Sequence, residues 1–356
     1  MSRPLKVLLV AADVNAIGGI QQYNRNVRDG LVESGATLRL VELTRPGLLA
    51  KAGFALRIAW RVATFRPDLV WCGHLNFSPV IYLLKRISGV RYVLPLYGID
   101  AIAIRRFLTG SAVRAADLLT PISHYTAAHL LRQYPDAGGR VFLIPNSVDG
   151  GRFRIQPKPP YLLERHGLDG RKVVLTVARF NVAEHKGYER VIDALPLVLR
   201  ESPGARYVIV GGGEDPRIRE ALDRHGLRDE VVFAGAVPRE ELPDYYNLCD
   251  VYAMPSKFEG FAIVFLEALA CGRPVVASDG FGCREALFDG ELGLTVDPDS
   301  RTQIAAAIAR LLTSPPAHLA DREGLRRRML QDYDLAAFKR RVGEAARRAT
   351  SRVDPR

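Results

Sequence analysis

The run Lys172–Ala178, KVVLTVA, has the same character as Lys6–Ala12, KVLLVAA, near the start of the chain, and this recurrence decides the fold. Both are continuous apolar runs rich in β-branched residues, the pattern of a strand buried on both faces of a parallel sheet. Outward from the earlier run, Thr37–Leu43, Asp68–Cys72, Arg91–Pro95 and Leu118–Pro121 read as further strands, with helical stretches such as Ile20–Ser34 and Phe54–Phe65 between them. Outward from the later run the pattern starts again in Arg206–Gly211, Val231–Ala234, Val251–Met254 and Pro274–Ala277. Strands alternating with helices predict an α/β protein of two parallel-sheet units, and a length of 356 residues suits about two domains. The segment Gln156–Gly167, QPKPPYLLERHG, carries three prolines and reads as the linker. The stretch from Gln303 onward reads as helical and Arg-rich.

A hydrophobic content of 48% with 25% charged residues belongs to a folded globular chain and excludes a disordered one. No apolar stretch reaches the roughly 18 residues needed to cross a bilayer. The opening apolar segment ends at Asp13 and reads as a first strand, not a signal peptide. Cys72, Cys249, Cys271 and Cys283 form no CxxC pair, so reduced thiols and a cytoplasmic setting are expected. The net charge of +11 is unevenly spread: residues 1–150 hold 18 Lys and Arg against 9 Asp and Glu, whereas residues 151–320 hold 21 against 24. A basic half attracts anionic lipid, phosphorylated substrates or nucleic acid. The chain has no zinc knuckle, RNA-binding signature or helix-turn-helix pattern, so no nucleic-acid partner is expected.

In parallel α/β units, ligands bind at the C-terminal ends of strands. There Gly18-Gly19 follows the first strand and opens a helix, which suits either a simple turn or the approach of backbone N–H groups to an anion. Arg179 and Lys186-Gly187 share the loop after LTVA; a guanidinium fork and a compact ammonium suit two adjacent phosphates, or are solvated cations. Phe258–Ala270, FEGFAIVFLEALA, puts Glu259 in a loop with Gly260 and Glu267 inside an apolar helix. Eight residues turn a helix about 80° past two full turns, so the two carboxylates diverge if the whole segment is helical and align better if Glu259 lies in the loop before it. A diphosphate at the helix N-terminus with hydroxyls on both sides would use such a pair; a solvated Glu259 and an exposed Glu267 are the plainer alternative.

Read in order, Gly18-Gly19, IPNSVD (Ile144–Asp149), ARF…HKG (Ala178–Gly187), VGGGED (Val210–Asp215), VFAGAV (Val232–Val237), EGFAIVFLEALACGRPVVASD (Glu259–Asp279) and DGELGLTVDPDS (Asp289–Ser300) resemble the family-4 retaining glycosyltransferases, also described as glycosyl transferases group 1. The resemblance spans the chain and is stronger in the C-terminal half. It implies the GT-B fold: a Rossmann-like acceptor-binding domain over 1–160, a Rossmann-like nucleotide-sugar-binding domain over 161–335, and a final helix over 336–356 that packs back on the first. It implies that Arg179 and Lys186 hold the diphosphate of a nucleotide sugar and stabilise the leaving group. Glu267 would bond the donor ribose and Glu259 the sugar hydroxyls. The backbone of Gly260, Phe261, Ala262 and Ile263 would line the sugar and phosphates, and Gly18 and Gly19 would approach the phosphates. No metal is expected to be essential, because negative charge growing on the diphosphate meets two cations and helix N-termini.

Two Asp-x-Asp triplets, Asp297–Asp299 and Asp332–Asp334, follow no strand of an N-terminal nucleotide-binding unit, and neither reads as a metal site. After VVASD the chain runs Gly280-Phe281-Gly282-Cys283-Arg284-Glu285, where the family usually has a Gly-Gly turn followed by Ile-Pro-Glu. Leu96-Tyr97-Gly98-Ile99-Asp100 carries tyrosine where members often carry histidine, so a role that needs imidazole is lost there. Tyr97, Asp100, His74 and His124 are the candidates for acceptor or sugar contacts, with structural histidines the alternative for the last two.

Rival readings lose features they need. A dinucleotide oxidoreductase or epimerase needs GxGxxG near residue 12 and, for many, Tyr-x-x-x-Lys; both are missing. A non-catalytic nucleotide-sugar-binding or scaffold protein remains the alternative, against which stands the joint presence of Arg179, Lys186, Glu259 and Glu267. The expected acceptor is a saccharide or a lipid-linked saccharide of cell-surface polysaccharide or glycolipid synthesis. Leu48–Phe65 and Ile99–Arg114 set Lys51, Arg57, Arg61, Arg105 and Arg106 among apolar residues, so peripheral contact with an anionic membrane, on its inner face, is expected too.

Overall fold

In the computed structural model the apolar runs become parallel strands of two separate sheets, which differ in the order in which their strands are laid. The structure describes residues 3–16, 18–98, 100, 104, 107–178, 186–212, 216–280 and 282–351. They fall into two compact units, the described parts of Met1–Ser147 with Leu335–Arg356, and Val148–Asp334.

The first unit holds β1 (Lys6–Ala12), β2 (Thr37–Leu43), β3 (Leu69–Cys72), β4 (Arg91–Leu96) and β5 (Leu118–Pro121) in the order β2-β1-β3-β4-β5, all parallel. Between them run α1 (Gly19–Glu33), α2 (Leu48–Phe65), α3 (Ser78–Ser88) and α4 (Phe107–Ala115), and α5 (His124–Gln133) follows β5. Phe54, Ile58 and Val62 of α2, Ile81 of α3 and Val113 of α4 share one hydrophobic cluster with Leu8, Val70 and Leu94 of the strands, so these three helices cover the same face of the sheet. Each such side chain removed from water contributes about 1.5–3 kcal/mol.

The second unit holds β6 (Val173–Val177), β7 (Arg206–Val210), β8 (Val231–Gly235), β9 (Val251–Met254), β10 (Val275–Ser278) and β11 (Gly293–Val296), again all parallel, in the order β11-β10-β9-β6-β7-β8. Its helices are α6 (Pro160–His166), α7 (Tyr188–Glu201), α8 (Pro216–His225), α9 (Leu242–Leu248), α10 (Ile263–Ala270), α11 (Cys283–Ala286), α12 (Arg301–Thr313), α13 (Ala317–Ala320) and α14 (Arg322–Tyr333). The last helix, α15 (Leu335–Ser351), belongs to the first unit and lies against α1. Contact there is close: a Cβ added at Gly30 of α1 would sit 3.0 Å from the Cα of Lys339.

Four local readings change. The proline-rich Gln156–Gly167 lies within the second unit, not between the two. Pro160 occupies the first turn of α6, where proline lacks no bond that the helix would have made, and Gly167 ends it in the left-handed region at φ 62°. Lys158 Nζ, 2.6 Å from Asp250, and Tyr161 Oη, 2.8 Å from Asp244, tie the segment down. Helix α2 begins at Leu48, six residues ahead of the Phe54 start read from the strand–helix alternation, and it coincides with the basic stretch Leu48–Phe65. Strand β11 was not expected; it is a four-residue edge strand with only its two ends buried, too short for a clear apolar signature. The tail is not one helix: Asp334 is extended (φ −68°, ψ 145°) between α14 and α15.

Among the described residues no helix is long and apolar enough to cross a membrane. The four cysteines are free and buried, and burial pushes each thiol up to about 12.

Candidate active site

The strand order of the second unit reverses between β6 and β9, which opens a crevice at their C-terminal ends. Lys186 follows β6 and Glu259 follows β9, and the structure brings them together. Gly187, at φ 86°, caps α7, and a Cβ there would lie 2.4 Å from the carbonyl oxygen of Pro255 just past β9. A side chain is therefore excluded both by the left-handed backbone and by the strand end that α7 starts against. Lys186 Nζ then stands 3.1 Å from Oε2 and 3.3 Å from Oε1 of Glu259. Their side chains are only 19% and 14% exposed, so each charge is largely desolvated and each answers the other. Arg179 lies outside the described residues.

Glu259 is in the loop ahead of the helix, and α10 begins at Ile263 with Ala262 as a cap that offers no side-chain acceptor. The first N–H groups of α10 are thus left uncapped by any side chain, a position that favours an anion. Gly260, Phe261 and Ala262 are buried, and Phe261 packs edge-on against Tyr333 at 5.1 Å. The loop after β10 pins this turn: Gly282 N donates to the Glu259 carbonyl at 2.9 Å, and a Cβ at Gly282 would fall 1.9 Å from the Gly260 carbonyl oxygen. Phe281 lies outside the described residues.

Glu267 is not an exposed helix carboxylate. It is half-buried, and Tyr246 Oη of α9 donates to its Oε2 at 2.6 Å. Burial pushes the carboxyl up to about 7, against the pull of the Tyr246 hydrogen bond and of Arg152 and Arg239. Burial raises the Tyr246 hydroxyl well above its ordinary value, so it remains a donor. Arg152 donates to the Arg239 carbonyl. Its segment is held by Arg326, which reaches the carbonyls of Gly150 and Phe153 at 2.6 Å each. Tyr246, Arg152 and Arg239 escaped the sequence reading, because a bond between residues 21 apart across a strand leaves no periodic trace.

In the first unit the strand order turns between β1 and β3. Gly18 and Gly19 stand after β1, at the start of α1, and nothing lies within 4 Å of a Cβ built at Gly19. His74, Tyr97 and Asp100 gather at the neighbouring strand ends. Tyr97 Oη donates to the Gly73 carbonyl at 3.1 Å, and its N–H to Asp100 Oδ1 at 2.8 Å. His74 Nδ1 accepts from Asn76 N at 3.0 Å, its ring centre is 6.3 Å from that of Tyr97, and burial lowers its pKa. His124 opens α5 at the end of β5 and is exposed.

In each Asp-x-Asp triplet one aspartate is held in an ion pair. Asp299 pairs with Lys257 at 2.8 Å and Arg190 at 3.6 Å, and the Lys257 bond lowers its pKa. Asp332 pairs with Arg328 at 2.9 Å.

Residues 163–329 match the family model described as glycosyl transferases group 1. Over 263 residues, 70% of this chain and 68% of the relative, the chain is 33% identical to a GDP-mannose-dependent alpha-(1-6)-phosphatidylinositol monomannoside mannosyltransferase of Mycolicibacterium smegmatis. It is 35% identical over 268 residues, 68% of this chain and 66% of the relative, to an alpha-D-kanosaminyltransferase of Streptomyces kanamyceticus. In fold it is similar to a sucrose-phosphate synthase of Thermosynechococcus elongatus, with a TM-score of 0.83 at 22% identity over 96% of this chain and 98% of that one. It is likewise similar to the Anabaena protein HepE in complex with UDP and glucose, with a TM-score of 0.79 at 19% identity over 96% and 98%. The chain belongs to the glycosyl transferases group 1, the family-4 retaining glycosyltransferases of GT-B fold, and it transfers a sugar from a nucleotide-sugar donor.

Proposed function

We propose that the protein transfers the sugar to a saccharide carried on a lipid, in the synthesis of a cell-surface glycolipid or polysaccharide, without an essential metal ion. The observation that carries the chemistry is the Lys186–Glu259 pair at the strand-order switch of the second unit, 3.1 Å apart. In this reading Lys186, with Arg179, neutralises the diphosphate as the sugar–phosphate bond breaks. Electrostatic stabilisation of developing charge is the main contribution available to such a site. Glu259 then turns from its cation to the hydroxyls of the sugar, and the uncapped first turn of α10 adds N–H groups toward the phosphates. Glu267, oriented by Tyr246, accepts from the ribose hydroxyls.

The absence of a metal requirement is supported by the pairing of one carboxylate in each Asp-x-Asp triplet, Asp299 with Lys257 and Arg190 and Asp332 with Arg328. The lipid-linked acceptor is supported by the likeness to a phosphatidylinositol monomannoside mannosyltransferase and by the basic first half of the chain. His74, Tyr97 and Asp100 are the groups proposed to meet the acceptor or the sugar.

A donor panel in EDTA tests this. One of UDP, GDP or ADP is expected to raise the melting temperature well above the other two, since a ligand that binds only the folded state stabilises by RT ln(1 + [L]/Kd). Its sugar should then be transferred to a lipid-linked saccharide with the donor's anomeric configuration kept. Loss of all transfer in EDTA, restored by a divalent ion, overturns the metal-free part. Transfer only to soluble sugars overturns the acceptor.

A further inference from the structure

Helices α2, α3 and α4 form one layer over the first sheet, and none of the three contains an Asp or Glu. They carry six cations, Lys51, Arg57, Arg61, Lys85, Arg86 and Arg114, of which Lys85 is paired with Asp117 at 2.6 Å. Residues 44–115 as a whole hold 11 Lys and Arg against two acids. Both acids are occupied, Asp68 by Arg3 and by the N–H of Lys6, and Asp100 by the N–H of Tyr97. The same layer turns large apolar side chains to solvent. Leu48, Leu49, Leu56, Ile87 and Phe107 are between 71% and 89% exposed, and Trp60 is 56% exposed. In α2 these do not belong to the core stripe: Phe54, Ile58 and Val62 face the sheet, while Leu48, Leu56 and Trp60 recur at the spacing of the opposite side. Arg61 lies over the Trp60 ring at 4.4 Å. A groove of about 750 Å³ opens between α2 and α3, walled by Val62, Ala63, Leu84 and Ile87 with Arg66 at its edge.

An apolar outer face whose charges are mostly cations, with Asp117 paired to Lys85 and Asp68 to Arg3, is matched by one kind of partner surface, an apolar layer bearing negative charge. We propose that the α2–α3–α4 face lies on an anionic phospholipid bilayer, with its leucines, Trp60 and Phe107 among the acyl chains and its cations against the lipid phosphates. A solvated helix layer gains nothing from clustering exposed leucines, whereas an interfacial one gains from each buried methylene and from each cation near the phosphates. The inference gives the proposed lipid-linked acceptor a surface at which to be met. It can fail or hold separately from that reading, because binding is measured with neither donor nor acceptor.

The chain has two tryptophans, and Trp71 is fully buried, so fluorescence changes on vesicle binding report on Trp60. The full chain is mixed with vesicles of phosphatidylcholine alone or with about a third phosphatidylglycerol, and followed by cosedimentation and emission wavelength. The expected result is a blue shift and at least tenfold more bound protein on the anionic vesicles at low salt. Binding should fall severalfold when salt shortens the screening length. Leu49→Ser with Leu56→Ser and Trp60→Ser should abolish cosedimentation while nucleotide-induced thermal shift is kept. Lys51→Glu with Arg86→Glu, which leaves the apolar side chains alone, should lower binding at least tenfold. Protein left in the supernatant at low salt overturns the proposal, as does equal binding to neutral vesicles. So does a dimer in sedimentation equilibrium that the triple variant dissociates, since the face would then be an interface between copies of the chain.

Discussion

The strand ends of the second unit and those of the first are built from different chemistry. In the second unit every singled-out side chain among the described residues is held by a partner of complementary polarity: Lys186 by Glu259, and Glu267 by Tyr246 with two arginines close by. In the first unit the gathered groups are two rings and one carboxyl group, each in a short polar bond to the backbone: Tyr97 to Gly73, His74 to Asn76, and Asp100 to the N–H of Tyr97. A site with fixed charges suits a ligand whose charge is fixed, and a nucleoside diphosphate is such a ligand. A ring-lined site with one carboxyl group suits hydroxyl-rich ligands, because each hydroxyl can both donate to the carboxyl oxygens and accept from the hydroxyl and ring N–H groups. The contrast predicts large, donor-specific effects on one side and small, acceptor-specific effects on the other.

The largest effect is expected at Lys186. Lys186→Ala removes the cation proposed to meet the diphosphate and leaves Glu259 as an unpaired, largely buried carboxylate. A loss of about 3 kcal/mol of transition-state stabilisation, near a hundredfold in kcat, follows from the cost of losing one such electrostatic contact. Steady-state kinetics on the variant check it. A kcat within threefold of the parent breaks the comparison at its strongest point.

How much of this could be read from the chain follows the same contrast. The strands were legible because parallel strands covered on both faces are continuous apolar runs, so KVLLVAA and KVVLTVA stand out without alternation. Glu259 and Glu267 were legible because a carboxylate beside or within an apolar helix is costly unless it has a use. Tyr246 and Arg152 were not, since the hydroxyl of one bonds Glu267 and the charge of the other acts on it only once α9 and the segment following Val148 have folded. The outward face of α2 was half legible: its cations were plain, but which of its apolar residues face solvent depends on where the sheet lies. The Asp-Tyr-Asp triplet was placed in a helical tail because the break at Asp334 has no proline or glycine to mark it.

Next in size is Glu267. Its carboxyl, raised to about 7, sits above the ordinary carboxylate range, so as pH falls the folded protein takes up this proton before the unfolded chain does. The sign for stability is that the group's contribution is full at low pH and is lost as pH rises toward 7. In the proposed role toward the donor, binding has the opposite dependence, because the ionised form is the better acceptor for ribose hydroxyls. Affinity for the nucleoside diphosphate, measured calorimetrically, is expected to weaken on the acid side of about 7 by up to tenfold per pH unit. Glu267→Gln should flatten that limb and cost about 2 kcal/mol at pH 8, the scale of hydrogen bonds to a charged group. A Gln variant with an unchanged pH profile would leave the ribose role without support.

Tyr246→Phe comes third. It keeps the buried ring and deletes the hydroxyl that donates to Glu267 at 2.6 Å. The donor KM should rise about tenfold, the worth of one hydrogen bond to a charged acceptor, with kcat nearly unchanged. The acid limb should also move to higher pH, because that hydrogen bond pulls the Glu267 pKa down. A lowered melting temperature with no shift of the limb would assign Tyr246 to packing alone.

The smallest effect is expected on the other side, at Tyr97. Its hydroxyl donates to a backbone carbonyl, and burial raises its pKa well above the ordinary value, so it stays neutral and contributes no charge that a donor could use. Tyr97→Phe deletes one neutral hydrogen bond, worth about 1 kcal/mol, and keeps the edge-on contact with Tyr23 at 5.2 Å. The acceptor KM should therefore change by no more than about fivefold, while the donor KM and the acid limb set by Glu267 stay as they were. Product formation measured against acceptor concentration at saturating donor, then the reverse, separates the two constants. A Tyr97→Phe variant that raised the donor KM and left the acceptor KM alone would mean that the first unit's strand ends read the nucleotide sugar directly. The division between a donor side built on a cation–carboxylate pair and an acceptor side built on rings and one carboxyl group would then have to be redrawn around Tyr97, His74 and Asp100.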